Sequence, residues 1–212
     1  MVTDLRDGLA PGLPVVQPFE RSRLAEGGAL LARAFTDDPL WRWVLQGRRE
    51  PEPALRWLFE RALVDQRTAR LETVAGPLVG LATWIGPETE PPPPPLRTLV
   101  GAIVRLRAGF PRLLRYAREA AILERELSAS RGWRLGGIAV EPAEQGRGHG
   151  SALVRHGLDR ADAAGLPVLL LTSNPANVAF YERHGFAVAA ERRLPAAGPP
   201  GWAMVRPARP IA

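Results

Sequence analysis

One stretch of the chain, residues 138–151 (IAVEPAEQGRGHGS), joins an apolar run to a glycine-rich loop and then to the start of a helix. Pro142 ends the apolar run, and Gly146, Gly148 and Gly150 leave backbone N–H groups bare where they can converge on an anion. Apolar residues at helical spacing follow, so the positive end of a helix dipole points at the same place. This order of strand, loop and helix predicts a phosphorylated ligand and an architecture built from both strands and helices.

The loop differs from two other phosphate-binding motifs. It lacks the Gly-Lys-Ser/Thr ending of a nucleotide P-loop, and its glycines alternate instead of following the dinucleotide-binding spacing. An ATPase and a nicotinamide enzyme are therefore disfavoured. Tight packing at a strand-to-helix turn, with no ligand, is the alternative.

The first half of the chain alternates between strand-like and helix-like patterns. The predicted elements are a short strand over 14–18, helices over 21–35, 40–45 and 54–64, a turn with a helix start at 37–39, and a hairpin of 70–74 with 78–85 closed by 75–77. Five consecutive prolines, residues 91–95, predict an extended surface spacer.

Residues 96–127 have a helical pattern that is interrupted near 109–111, which predicts two helices bordering the site of a second substrate. The residues available for one apolar side are Leu99, Ile103, Leu106, Leu113, Leu114, Ala117 and Ile122.

The second half of the chain predicts a strand over 134–140, a helix stopped at 165–167, a buried strand over 168–171, a short helix from Asn174 and a strand from Phe186. The alternation favours a single α/β domain over residues 1–212.

Composition removes several classes of function. The 212 residues include no cysteine, which excludes disulfides, thiolate metal ligands and a cysteine nucleophile, and the three histidines lack metal-ligand spacing, so no metal site is predicted. All 28 cationic side chains are arginine, and the net charge is +6. No arginine and aromatic cluster of the strand-binding kind is present, so we expect no nucleic-acid partner. No segment is apolar for the roughly 18 residues of a membrane span, so we expect no membrane partner and a cytoplasmic location.

The loop belongs to a larger pattern. Gln145-x-x-Gly148-x-Gly150, following Ile138-Ala139-Val140, resembles the acyl-CoA signature of the GNAT superfamily of N-acyltransferases. Residues 172–177 (TSNPAN) and 180–186 (FYERHGF) resemble the second half of that cofactor site, and residues 34–39 (AFTDDP) resemble a segment of puromycin N-acetyltransferase-like proteins. The resemblance, good over 137–186, implies a GNAT-type fold: a central mixed, mostly antiparallel sheet flanked by helices.

Carried over position by position, the resemblance implies an acetyl-CoA site. The backbone of the 138–140 strand would pair with the pantetheine arm, the N–H groups of 145–151 would hold the pyrophosphate, and Arg147 could contact phosphate directly. The implied cofactor-binding residues are Ile138, Ala139, Val140, Gln145, Gly146, Arg147, Gly148, His149, Gly150, Ser151, Asn174 and Asn177. Asn174 could instead cap a helix, and Asn177 could only brace one.

Tyr181 matches the family tyrosine that lies near the thioester sulfur, which implies a catalytic role. After an amine attacks the thioester carbonyl, collapse of the tetrahedral intermediate expels a thiolate, and a positioned phenol can protonate it. A backbone N–H near Val140 would stabilise the oxyanion. On spacing alone, a core aromatic side chain is the commoner interpretation of Tyr181.

The general base is left open by the sequence. Glu141, Asp37, Asp38 and Glu72 are candidates, and a water relay is equally possible. Residues 35–43 and the helices after the proline run are expected to form the acceptor pocket, whose tryptophans and apolar side chains suggest a hydrophobic or aromatic amine. Core packing explains the same residues.

These observations predict an acetyl-CoA-dependent N-acetyltransferase that transfers the acetyl group directly to a primary amine of a small molecule in a ternary complex. The absence of cysteine agrees with direct transfer. Two alternatives stay open: acetylation of a protein or peptide amine, and a non-catalytic acyl-CoA-binding regulatory module. A monomer or a homodimer is expected.

Overall fold

The computed structural model describes residues 14–65, 69–74, 77–88, 96–127, 132–193, 195 and 197–209. The predicted proline spacer, residues 91–95, lies outside the described residues. The strands are β1 (Val16–Pro18), β2 (Ala69–Val74), β3 (Gly80–Ile85), β4 (Trp133–Val140), β5 (Val168–Thr172), β6 (Ala187–Arg193) and β7 (Pro200–Arg206). The helices are α1 (Leu24–Phe35), α2 (Pro39–Val44), α3 (Glu52–Asp65), α4 (Leu96–Leu106), α5 (Phe110–Leu127), α6 (His149–Ala163) and α7 (Ala176–Glu182).

The seven described strands form one sheet in the order β1-β2-β3-β4-β5-β7-β6. Only the central pair, β4 with β5, is parallel, and every other neighbouring pair is antiparallel. The parallel pair is joined through α6, as a crossover connection requires. The predicted fold class, a mixed and mostly antiparallel sheet flanked by helices, is confirmed.

The parallel pair separates along its length. β4 and β5 pair over three positions, from Trp133 with Val168 to Leu135 with Leu170. Beyond that point β4 continues to Val140 against β3, and β5 continues to Thr172 against β7. The two strands therefore diverge toward their carboxyl ends, and a gap opens in the middle of the sheet just before the glycine-rich loop.

Helix α6 rests on the sheet through a very close contact. Trp84 of β3 is fully buried, and a Cβ atom built on Gly157 of α6 would lie 2.0 Å from Cε2 of its indole ring. No side chain can occupy that space, so a glycine is required where the helix crosses the indole. The contact belongs to the main core cluster, which also contains Leu153, Val154 and Met204.

A second tie joins α6 to β7. The Arg206 guanidinium, only 3% exposed, donates to both carboxylate oxygens of Asp162 at 2.6 and 2.7 Å. Arg206 lowers the pKa of the Asp162 carboxyl, mainly through these hydrogen bonds. A buried guanidinium is tolerated because its charge is matched by this bidentate pairing.

Residues 96–127 form two helices, α4 and α5, separated by a turn at Arg107–Gly109. The predicted apolar side is correct at Leu106, which is buried, and at Leu113, which packs against the same core cluster. It is wrong at Leu99, Ile103, Leu114 and Ile122, which are exposed. The buried positions include Ala102, Leu106, Ala120 and Leu123. The cause is that α4 is apolar around most of its circumference, and the packing of Trp57 of α3 against Gly101 sets which side faces inward.

Among the described residues, no helix is both long and apolar enough to cross a bilayer.

Candidate active site

The glycine-rich loop presents an uncapped helix N-terminus. Gly148 precedes α6 with φ +87°, a left-handed conformation that favours glycine, and no side chain caps the helix there. The first helical hydrogen bond runs from the Ala152 N–H to the Gly148 carbonyl at 3.0 Å. The N–H groups of the residues between them lack intrahelical acceptors, as at any helix start, and they can bind an anion together with the helix dipole.

Side chains around the loop brace it and balance its charge. Gln145 donates its backbone N–H to the Pro142 carbonyl at 3.4 Å and its side-chain amide to the Val140 carbonyl at 3.2 Å. Glu144 accepts from Arg147 at 2.9 Å and lies 3.7 Å from His149. Gln145 therefore ties the loop to β4, and Arg147 offsets a carboxylate that would otherwise repel a phosphate.

The other side of the loop meets the end of α7. His184 Nε2 lies 3.2 Å from the Ser151 hydroxyl, in the first turn of α6. Burial, followed by the charges of Arg155 and Arg183, lowers the pKa of His184. A neutral imidazole is therefore favoured at neutral pH, and it can hold the Ser151 hydroxyl in place.

Two cavities adjoin at the gap between β4 and β5. The first, which we call the loop cavity, has a volume of about 430 Å³, and its walls include Val140, Gln145, Gly146, Gly148, His149, Gly150, Ser151 and Phe180. The second, the aromatic cavity, has a volume of about 340 Å³, and its walls include Phe35, Asp38, Trp41, Phe59, Thr83, Tyr116, Glu124 and Ser173. Ile138, Asn177 and Tyr181 line both. These three residues therefore mark the junction of the two spaces.

Tyr181 is buried at this junction. Its ring lies 5.1 Å from Phe180 and 5.8 Å from Phe186, centroid to centroid, in edge-on contacts. Burial raises the pKa of the Tyr181 phenol strongly, and the charge of Asp38 raises it further. The phenol is therefore protonated at neutral pH, which is the form that a proton donor needs. Tyr181 is also part of the main core cluster, so it both packs and faces the two cavities.

The two predicted asparagines differ in position. Asn177 lines both cavities and donates from its side-chain amide to the Thr172 hydroxyl at 3.3 Å. Asn174 lines neither of them, and its side-chain oxygen accepts the Ala176 N–H at 3.0 Å at the start of α7. The geometry at Asn174 is that of the capping alternative.

Of the four acidic candidates for a base, Asp38 lies in the wall of the aromatic cavity. It accepts the Leu40 N–H at 2.9 Å as the N-cap of α2, yet burial raises the pKa of its carboxyl. Glu141 instead pairs with Arg33 at 2.7 and 2.9 Å, which lowers the pKa of its carboxyl, and it lines neither cavity. Asp37 is exposed, and the side chain of Glu72 lies outside the described residues.

Four side chains of the aromatic cavity were not named as site residues from the sequence, although Ser173 lies within the 172–177 segment quoted above. The Tyr116 hydroxyl of α5 lies 3.5 Å from the Ser173 hydroxyl, and Arg134 of β4 donates to Glu124 of α5 at 2.9 Å. Burial raises the pKa of Tyr116. The position of Ser173, one residue after a buried parallel strand, is a signal that could have identified it, because ligands often bind at that end of a strand.

Comparison with known proteins agrees with this arrangement. Residues 99–186, which contain most of α4 and all of α5 to α7 with β4 and β5, match the acetyltransferase (GNAT) family. This part of the chain is therefore similar to GNAT acetyltransferases. The GNAT resemblance is thus confirmed, whereas the likeness to puromycin N-acetyltransferase-like proteins stays a prediction.

Solved structures extend the likeness of the GNAT fold over nearly the whole chain. A histone acetyltransferase HPA2 and related acetyltransferase from Corynebacterium glutamicum is 23% identical with a TM-score of 0.66, over 94% of this chain and 99% of that one. The ribosomal-protein-S18-alanine N-acetyltransferase from Escherichia coli is 17% identical with a TM-score of 0.53, over 94% and 97%. The polyamine N-acetyltransferase of Drosophila melanogaster is 16% identical with a TM-score of 0.58, over 91% and 98%. At such identities the likeness concerns the fold.

Proposed function

We propose that this GNAT domain transfers the acetyl group of acetyl-CoA to a primary amine of a small molecule. One observation carries the proposal: the loop cavity and the aromatic cavity meet at Ile138, Asn177 and Tyr181. A donor in the first and an acceptor in the second would place a thioester and an amine on either side of one buried phenol.

The donor would occupy the loop cavity. Its pyrophosphate would accept hydrogen bonds from the uncapped N–H groups at the start of α6, between Gly148 and Ala152. Its pantetheine arm would lie in the gap where β4 has separated from β5, beside Ile138 and Val140. Acetyl-CoA supplies an activated acyl group, and the chain supplies its position.

The reaction then needs one attack and three proton transfers. The neutral amine nitrogen attacks the thioester carbonyl carbon, forming a C–N bond and an oxyanion that a backbone N–H near Val140 would stabilise. Collapse breaks the C–S bond, and the Tyr181 phenol protonates the departing sulfur. The nitrogen loses its extra proton to water, and the phenol regains one, so the products are an acetamide and free CoA.

The acceptor would occupy the aromatic cavity. Phe35, Trp41 and Phe59 supply an apolar wall in which Trp41 meets Phe59 edge-on at 5.1 Å. Asp38 supplies a carboxylate that can hold the ammonium form of an amine before it loses its proton. This combination favours an amine that has an apolar or aromatic body of modest size.

The test uses the purified protein with acetyl-CoA and a panel of arylalkylamines, linear alkylamines, diamines and peptides, with free thiol as the readout. Thiol release should be fastest with an arylalkylamine and slow with the peptides. Release with peptides alone would instead identify a protein acetyltransferase. Binding of acetyl-CoA without thiol release from any member of the panel would identify a non-catalytic module.

A further inference from the structure

The outer face of α4 exposes an aliphatic ridge. Leu99, Val100, Ile103 and Val104 are 37%, 51%, 49% and 62% exposed, and their spacing puts them side by side on one face of the helix. The opposite face is docked, because Ala102 and Leu106 are buried in a core cluster with α3 and Trp57 packs against Gly101. The ridge is therefore a stably presented surface.

The chain segment that contains the ridge is strongly basic. Residues 96–118 contain six arginines and no acidic residue, so this segment alone carries +6, which equals the net charge of the whole chain. Arg48 adds another cation at the end of α4, where it donates to the carbonyl of Arg105. The guanidinium of Arg105 itself lies 4.3 Å from the ring centroid of Trp57, at the edge of the exposed face.

We propose that the α4 ridge docks the protein on an anionic phospholipid surface. Aliphatic side chains flanked by arginines match the two parts of such a surface, the acyl boundary and the negative headgroups. A second copy of the chain fits poorly, because it would bring two segments of +6 together. The ridge is aliphatic, whereas single-stranded nucleic acid is usually bound through aromatic side chains. A peripheral contact of this kind needs no spanning segment, so it differs from the sequence-based expectation of no membrane partner, which rested on the absence of such a segment.

Docking through the ridge would leave the active site accessible. None of the four ridge residues of α4 lines the aromatic cavity or the loop cavity. Substitutions in the ridge can therefore leave the walls of both cavities intact.

The test is co-sedimentation of the full chain with vesicles of phosphatidylcholine alone and of phosphatidylcholine mixed with phosphatidylglycerol. The protein should bind the mixed vesicles, and high salt should weaken the binding. Ile103→Asp and Val104→Asp should each lower the partition coefficient by about tenfold. Val15→Asp, at a valine that is 50% exposed elsewhere on the protein, should leave it unchanged. Acetyl-CoA binding by each variant confirms that it is folded.

Three results would overturn the proposal. The first is equal binding of the native protein to both kinds of vesicle, and the second is native-level binding by both ridge variants. The third is concentration-dependent self-association in sedimentation velocity that Val104→Asp abolishes without any vesicle binding by the native protein, which would make the ridge an interface between copies of the chain.

Discussion

The two cavities are built in different ways. Apart from Ile138, the loop cavity is formed within 140–183, mostly by a strand end, a loop and the first turn of a helix. The aromatic cavity takes its walls from α1, α2, α3 and α5 together with β3, β4 and β5. The first presents backbone groups at a fixed spacing, and the second presents side chains from distant segments. A donor site of the first kind can stay the same while an acceptor site of the second kind changes.

The largest effect on kcat should come from a change at Tyr181, where the two cavities meet. Tyr181→Phe should lower kcat by about a hundredfold, because the phenol that we propose as the proton donor to the thiolate is lost. The dissociation constant of acetyl-CoA should hardly change, since the ring still packs against Phe180 and Phe186. Steady-state thiol release and calorimetric titration measure the two quantities. Tyr116→Phe is the matched control in the aromatic cavity, and an unchanged kcat in Tyr181→Phe would remove the phenol from the reaction.

A change confined to the aromatic cavity should act on the amine alone. Asp38→Asn should raise KM for the amine by about thirtyfold, because a charge-assisted hydrogen bond is lost, and should leave acetyl-CoA binding intact. Asparagine can still cap α2, so the fold is kept. Asp37→Asn, at the exposed neighbour, is the control. Equal effects of Asp38→Asn on both substrates would contradict the division into two cavities.

The same carboxyl should set part of the pH profile. Burial raises the pKa of Asp38, so its charge is present above that raised pKa and is lost as the pH falls through it. In the native protein kcat/KM for the amine should fall on this acid side, at a higher pH than an exposed aspartate would give. The Asp38→Asn variant should lack this part of the decline, and a superimposable profile would count against the assignment.

A change confined to the loop should act on the donor alone. Gly148→Ala forces a left-handed conformation on a residue that has a side chain, so the loop should relax and the dissociation constant of acetyl-CoA should rise by about tenfold. The value of kcat at saturating acetyl-CoA should be kept. Gly47→Ala imposes the same conformation, at φ +85°, outside both cavities, and should leave that dissociation constant alone. An equal loss in both variants would mean that general strain is the cause.

The smallest effect on the reaction should come from loss of the ion pair between Asp162 of α6 and Arg206 of β7. Asp162→Ala leaves Arg206 buried without a partner and should lower the free energy of unfolding by about 3 kcal/mol, with both substrate affinities unchanged. Because Arg206 lowers the pKa of Asp162, the native pair stabilises at neutral pH and loses its effect only as the pH falls through that lowered pKa. Denaturant titrations at neutral and acidic pH measure this. Glu26→Ala, in an exposed pair with Arg23, should cost less than about 1 kcal/mol.

The sequence predicted one cavity far better than the other. The loop, its helix and the position of Tyr181 follow from local chain order, so a contiguous motif could be aligned with them. Asp38 could be named as a candidate but not chosen over Glu141, because the choice depends on Arg33, which is 108 residues away from Glu141 along the chain. The rotation of α4 and α5 was also beyond local patterning, since apolar residues occur on both their inner and outer faces.

The contact between Trp84 and Gly157 lies in the core, yet it helps to set the geometry of the proposed donor site. The thickness of one indole ring fixes how far α6 stands above β3, and hence where the exposed end of that helix sits relative to the gap in the sheet. A methyl group at 157 would push the helix outward, and a smaller residue at 84 would let it sink. The residues at 84 and 157 must therefore match each other in size. The distance between the start of α6 and a bound phosphate depends on this contact in the core.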